Sequence, residues 1–260
     1  MARSNSGESV LTRVDRILSC FDGDNPTRTA SGIARHARLP IATVYRLVNE
    51  LVSLGYLERT PGRRIRLGVR LWELASRGSR AAGLREAAMP VMEDLHAVVG
   101  HHTQLSVRDG LEALFIERLS TRGGSRNIIR VAGRLPAHAC SSGIVLVAHA
   151  PADVQEELLT SQLQRYTDRT PTDPATLRRM LADARTRGFV VADGFITPGA
   201  TGVAVPIRGP REDVVAALNV VVPSDGGNGP AQISALLAAA RSISRALGLH
   251  PRLDADLTSM

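Results

Sequence analysis

The stretch Thr29–Leu51, TASGIARHARLPIATVYRLVNEL, decides the fold of the first part of the chain. Thr29 is a hydroxyl residue of the kind that caps a helix, and the spacing predicts a short helix through about Ala37. Leu39-Pro40 breaks it, and a longer helix follows from Ile41 to about Leu54, where Gly55 ends it. Two helices joined by a short break make a helix-turn-helix if the second rests on the first at a steep angle and keeps its outer face free for a major groove. That geometry needs apolar contacts at Ile33, Ala37, Leu39, Val44 and Leu47, and a small residue at Ala34 where the helices approach most closely. One position departs. Arg38 stands where a glycine is usual, and an L-residue forced left-handed costs about 1 kcal/mol, so a differently shaped turn is expected there.

With Val44, Leu47, Val48 and Leu51 committed to a core, the second helix turns Ile41, Ala42, Thr43, Tyr45, Arg46 and Asn49 outward. Arg to guanine and Asn to adenine are the side chain–base pairings of best geometry. Upstream, Val10 to Phe21 repeats apolar residues at helical spacing, and a turn at Asp22 to Pro26 follows. Downstream, apolar and charged residues alternate around Thr60-Pro61-Gly62, which reads as a β-hairpin with Arg63, Arg64 and Arg66 at its tip. Arg28 and Thr29 precede the capped helix. These cations are expected to ride on phosphates, adding affinity more than sequence information.

Charge supports the division. Residues 1–80 hold fourteen Arg against seven acids, and residues 81–260 hold eighteen of each, so the whole net charge of +7 lies in the first third. All basic residues are Arg. A uniformly Arg-rich composition would have spread the excess, whereas phosphate neutralisation needs it clustered. No run of about 18 uncharged apolar residues occurs, as a membrane span needs, and the polar start lacks the apolar core of a signal segment. Cys20 and Cys140 are the two cysteines and have no CxxC spacing. A soluble cytoplasmic protein in a reducing compartment, without disulfide or thiolate zinc site, is the expectation.

The expected domains are a tail over 1–8, a winged helix-turn-helix over 9–70, a linker helix over 71–98, a second domain over 99–249 and a tail over 250–260. Gly78, Gly83 and Pro90 are expected to break or kink the linker. Beyond it, Thr103–Val107 and Leu111–Leu119 pair as a hairpin across Asp109-Gly110. His138–Ala150 and Pro174–Gly188 read as helices. Phe189–Ala192, Gly202–Ile207 and Val214–Val222 read as strands, the last apolar enough to be central. Ala231–Leu247 reads as a closing amphipathic helix. The fold class is α+β, with an antiparallel or mixed sheet flanked by helices.

At Thr29 to Arg35, Leu39 to Leu47 and Leu54-Gly55-Tyr56-Leu57 the chain resembles the N-terminal domain of the IclR family of bacterial regulators. The likeness continues in Gly133-Arg134-Leu135-Pro136-Ala137-His138-Ala139, Arg169-Thr170, Gly188-Phe189-Val190-Val191 and Val203-Ala204-Val205-Pro206-Ile207, covering about residues 10–249. The resemblance implies a GAF-like domain of about six antiparallel strands, a small organic effector, and a homodimer often paired into a tetramer. It also implies binding to double-stranded operator DNA, as a repressor. Two half-sites one helical turn apart favour the dimer independently. Matched to the family's pocket, the lining falls on Asn127, Ile129, Ser141, Ser142, Ala192, Asp193, Ala200, Thr201, Gly202, Asn219 and Val221. Ser141-Ser142-Gly143 at a helix start offers N–H groups and hydroxyls to a carboxylate. Asn219 interrupts an apolar strand and needs a partner when buried. A carboxylate or aromatic acid effector is therefore expected. Where members that bind small acids commonly carry an acid and a polar residue, this chain has Ala192 and Gly202, which points to a roomier pocket.

Other classes remain to be weighed. Cys140 with His138 would make an activated nucleophile, but residues two apart on a helix point about 200° apart. His101-His102 would face opposite ways in a strand and no ligand cluster lies beside them, so no metal or cofactor is expected. A ligand-binding module whose Arg patch meets nucleic acid without sequence preference is the third reading.

Overall fold

In this computed structural model the described residues are 8–77, 79–120, 130–224 and 230–248. The chain forms two compact units, residues 1–82 and 83–260. No described helix is long and apolar enough to cross a membrane.

The first unit opens with α1 (Val10–Leu18), capped by the Ser9 hydroxyl, which accepts from the Thr12 N–H. The two-residue strand β1 (Arg28–Thr29) leads directly into α2 (Ala30–Ala37), and α3 (Ile41–Ser53) follows after three residues. β2 (Leu57–Thr60) and β3 (Arg64–Leu67) form the hairpin, and β1 adds to its β3 edge, all antiparallel. Ile17, Ile33, Val44, Val48 and Ile65 are fully buried and join the three helices to the hairpin. Burying each such aliphatic side chain stabilises the unit by about 1.5–3 kcal/mol.

Arg38 does not reshape the turn. It takes the left-handed conformation itself (φ 51°, ψ 45°) as the residue that ends α2. The Arg16 guanidinium helps hold it there, donating to the Ala37 and Arg38 carbonyls at the negative end of α2. Arg38→Gly should consequently raise the stability of this unit by about 1 kcal/mol; an unchanged melting temperature would mean that the arginine side chain offsets its own backbone cost.

α4 (Val69–Ser76) and α5 (Arg80–Val99) occupy the expected connector. Of the three anticipated interruptions, Gly78 lies outside the described residues. Gly83 and Pro90 lie inside α5.

The second unit is built on six antiparallel strands in the order β6-β5-β4-β9-β8-β7. They are β4 (His102–Asp109), β5 (Glu112–Leu119), β6 (Arg134–Pro136), β7 (Val190–Asp193), β8 (Ala200–Arg208) and β9 (Val214–Pro223). Strand alternation sends Leu105, Val203, Val205, Leu218 and Val220 to one face, where they pack with Met92 of α5 and Leu236 and Ile243 of α9 (Pro230–Gly248). The other face carries Phe115, Ala204 and Ala217 against Ile144 of α6 (Ser141–Ala148) and Leu177 and Leu181 of α8 (Pro174–Arg187).

Three segments of the second unit differ from the sequence expectation. Arg134–Pro136, not expected as a strand, forms β6. A further helix, α7 (Ala152–Thr160), precedes α8. The helix expected from His138 starts later: Ala137–Ala139 form a 3-10 turn, Cys140 is extended, and α6 begins at Ser141. That one residue of extended backbone marks where α6 starts.

Candidate DNA-reading face and effector pocket

The outer face of α3 carries Ile41, Ala42, Tyr45, Arg46 and Asn49, all exposed, with Thr43 half-buried. Arg46 has one ionic neighbour, Glu50 at 3.7 Å, in an exposed pair of little energetic weight. Arg59, not anticipated from sequence, donates from Nη2 to Asn49 Oδ1 at 2.5 Å and so ties the hairpin to α3. At the hairpin tip Arg63 and Arg64 are exposed. Arg66 is instead held by Glu58, with nitrogen–oxygen distances of 2.7 and 2.8 Å. Thr29 spends its hydroxyl on the Gly32 N–H at the start of α2. Arg28 turns inward, its Nε donating to the Cys20 carbonyl at 2.5 Å. A groove lined by Arg16, Arg28, Arg35, His36 and Arg38 runs beside α2 and adds cationic surface.

The second unit holds a cavity partly open to solvent. α6 starts directly after the extended Cys140, and Ser141 and Ser142 of its first turn line the cavity. Ser141, Ser142, Ala192, Ala200, Gly202, Asn219 and Val221 line it as expected, and so do residues that sequence reading missed: Gln104, Phe115, Leu135, Cys140, and Phe195 to Thr197 of the β7–β8 loop. Asn127 and Ile129 lie outside the described residues. Asp193 and Thr201 do not line the cavity. Each is one residue along a strand from a lining position and so faces the other way. The Asp193 carboxylate accepts from the hydroxyls of Ser224 (2.6 Å) and Thr201 (2.7 Å) and pairs with Arg169. Chiefly the two hydroxyl hydrogen bonds, with the Arg169 charge, hold its carboxyl below the usual carboxylate range.

Gly202 lines the cavity, and a Cβ there would come within 2.8 Å of Ser141 Oγ, so the missing side chain leaves room for that hydroxyl. The β7–β8 loop is fixed from outside, with Thr167 donating to the Gly194 carbonyl and Thr170 to the Phe195 carbonyl, both at 2.6 Å.

Among the described residues, no charged side chain lines the cavity. Its polarity comes from the start of α6 and from buried neutral groups. Ser142 Oγ, Gln104 Nε2 and Asn219 Oδ1 are buried without a hydrogen-bond partner. Cys140 Sγ accepts from the Gly143 N–H at 3.3 Å, and burial pushes its thiol up to about 12. His138 is engaged elsewhere, its Nε2 lying 2.9 Å from the Gln164 carbonyl. Among the described residues no group of three or more His, Cys, Asp or Glu could hold a metal ion.

Both units match families of known sequence. Residues 10–61 match the IclR helix-turn-helix domain and residues 79–245 the bacterial transcriptional regulator IclR C-terminal domain. The HTH-type transcriptional regulator BhcR of Paracoccus denitrificans is 31% identical over 252 residues, 94% of this chain and 90% of the relative. The HTH-type transcriptional repressor AllR of Escherichia coli K12 is 26% identical over 255 residues, 95% of this chain and 94% of the relative. The crystal structure of an IclR homolog from Microbacterium hydrocarbonoxydans complexed with 4-hydroxybenzoate superposes with a TM-score of 0.88 at 47% identity, covering 93% of this chain and all of that one.

Proposed function

The chain belongs to the IclR family of bacterial transcriptional regulators, and we propose that its second unit senses a monocyclic aromatic carboxylate. The observation that carries this reading is the make-up of the cavity. Phe115, Leu135, Phe195 and Val221 supply an apolar wall for a ring, while the start of α6 and the unpartnered Ser142 hydroxyl supply donors for one carboxylate. A helix N-terminus stabilises an anion without a lysine or arginine, and the described lining residues include neither. The similar protein crystallised with 4-hydroxybenzoate supports the same ligand class.

In this reading the first unit binds operator DNA as a repressor, in line with the named repressor among its relatives. Ile41 to Asn49 of α3 lie in the major groove and Arg63 and Arg64 contact phosphates, while Arg28, Thr29 and Arg66 shape the surface rather than touch bases. The exposed apolar side chains of Leu67, Val69 and Trp72 are the face a second copy would cover. Cys140 has no catalytic part, since its thiol stays protonated at neutral pH.

Thermal denaturation of the full chain with 4-hydroxybenzoate tests the sensor reading. At about 100 times Kd the acid should stabilise the protein by about 2.7 kcal/mol, and an operator fragment should be released over the same concentration range. Stabilisation by uncharged ring compounds but by no aromatic acid would sink it.

A further inference from the structure

Gln104 and Asn219 face each other across the β4–β9 ladder, 1% and 2% exposed, on the sheet face that α6 covers. Asn219 Nδ2 donates to Gln104 Oε1 at 2.9 Å. Gln104 Nε2 and Asn219 Oδ1 are then buried without a partner, and both residues line the cavity. Two carboxamides joined by one hydrogen bond always leave one amino donor and one carbonyl acceptor facing outward. Turning both amides over exchanges which residue offers which, but not the pair of functions.

We propose that the Gln104–Asn219 pair reads a ring hydroxyl on the effector, on the side of the ring remote from its carboxylate. This rests on the reading of the pocket as an aromatic carboxylate sensor. A hydroxyl is the small group that meets both demands through a single atom, since it donates to the carbonyl and accepts from the amino group. A methyl group meets neither. A second carboxylate accepts from the amino group but sets its charge against the carbonyl oxygen.

The amide pair and the start of α6 are separate polar groups of the lining. Asn219 pairs with Ala204, and Val221, two residues on, pairs with Gly202, over which Ser141 sits. Same-face diagonal neighbours of this kind have backbones about 7–8 Å apart, so one small group cannot engage both ends. A hydroxyl adjacent to the carboxylate would stay at the α6 end and miss the pair.

Calorimetric titration of the full chain with benzoate, 4-methylbenzoate, 2-hydroxybenzoate and 4-hydroxybenzoate tests this. The 4-hydroxy acid should bind roughly 10- to 100-fold more tightly than the other three, because its absence leaves both buried amide groups unmatched. Gln104→Met combined with Asn219→Leu keeps side-chain volume nearly constant and should reverse the order, with 4-methylbenzoate binding more tightly than 4-hydroxybenzoate. Equal affinities of the wild-type chain for 4-methylbenzoate and 4-hydroxybenzoate would overturn the inference while leaving the sensor reading intact, and that comparison needs no variant to fold. A preference that survives in the double variant would also overturn it. Failure of all four acids to bind would remove the sensor reading, and this inference with it.

Discussion

Gly143→Ala is expected to destabilise the second unit by about 3 kcal/mol or more, at the top of the usual range for an overpacked core. Gly143 lies in the first turn of α6, and a Cβ built on it falls inside the van der Waals envelope of the Ala137 backbone, meeting its Cα, carbonyl carbon and oxygen. A flexible side chain in that place would swing aside at little cost. Backbone cannot, and α6 has no room to retreat, because all of its residues from Ser141 to Ala148 are buried. The close approach exists because the 3-10 turn at Ala137–Ala139 and the extended Cys140 fold the chain back over the helix start. For a unit of this size 3 kcal/mol corresponds to a fall of roughly 6–12 °C in Tm. Calorimetry of the full chain checks it, since the two units have separate cores and a change confined to one should move its transition alone. An unmoved thermogram would mean that α6 is not packed on Ala137 in solution.

That contact also shows where sequence reading stops. The helix-turn-helix was legible because each position there answers to a local rule: Thr29 caps, Pro40 breaks, and Val44, Leu47, Val48 and Leu51 repeat at helical spacing. The strands of the second unit were legible for the same reason, β9 above all, whose apolar run puts it inside the sheet. Cys140 is the N-cap of α6, extended as N-caps are, with its sulfur accepting from the Gly143 N–H. Cysteine is not among the residues that announce a cap, and a periodicity running through His138 to Ala150 does not register one. α7 was missed because Pro151 stands where a capping side chain would, and its buried residues are only Leu158 and Leu159 at one end. The pocket was half legible. Asn219 declared itself as a polar residue in an apolar strand, and Gln104 carries the same signal, but only the β4–β9 register makes the two a pair. Phe195, Ile196 and Thr197 reach the cavity from a loop, where no period exists to read.

The second large effect is expected on DNA, and it separates two arginines that composition treats alike. Arg46→Ala should lose about 1–3 kcal/mol of discrimination at one base pair of each half-site. Arg64→Ala should weaken all sequences equally and lower the salt slope by about one. The difference follows from where the fold holds them. Arg46 stands on the exposed face of α3 with only a 3.7 Å contact to Glu50, so its guanidinium leaves that neighbour at a cost of a few tenths of a kcal/mol to form a bidentate contact with a base edge. Arg64 opens β3 at the hairpin tip, opposite Thr60, on a strand whose next arginine, Arg66, is already occupied by Glu58. A cation there meets phosphate, which carries no sequence. Binding of both variants to an operator and to unrelated duplex of the same length, over a range of salt, distinguishes the roles. Should Arg46→Ala weaken both duplexes by the same factor, α3 would be riding the backbone, and the sequence reading of the operator would have to come from another element.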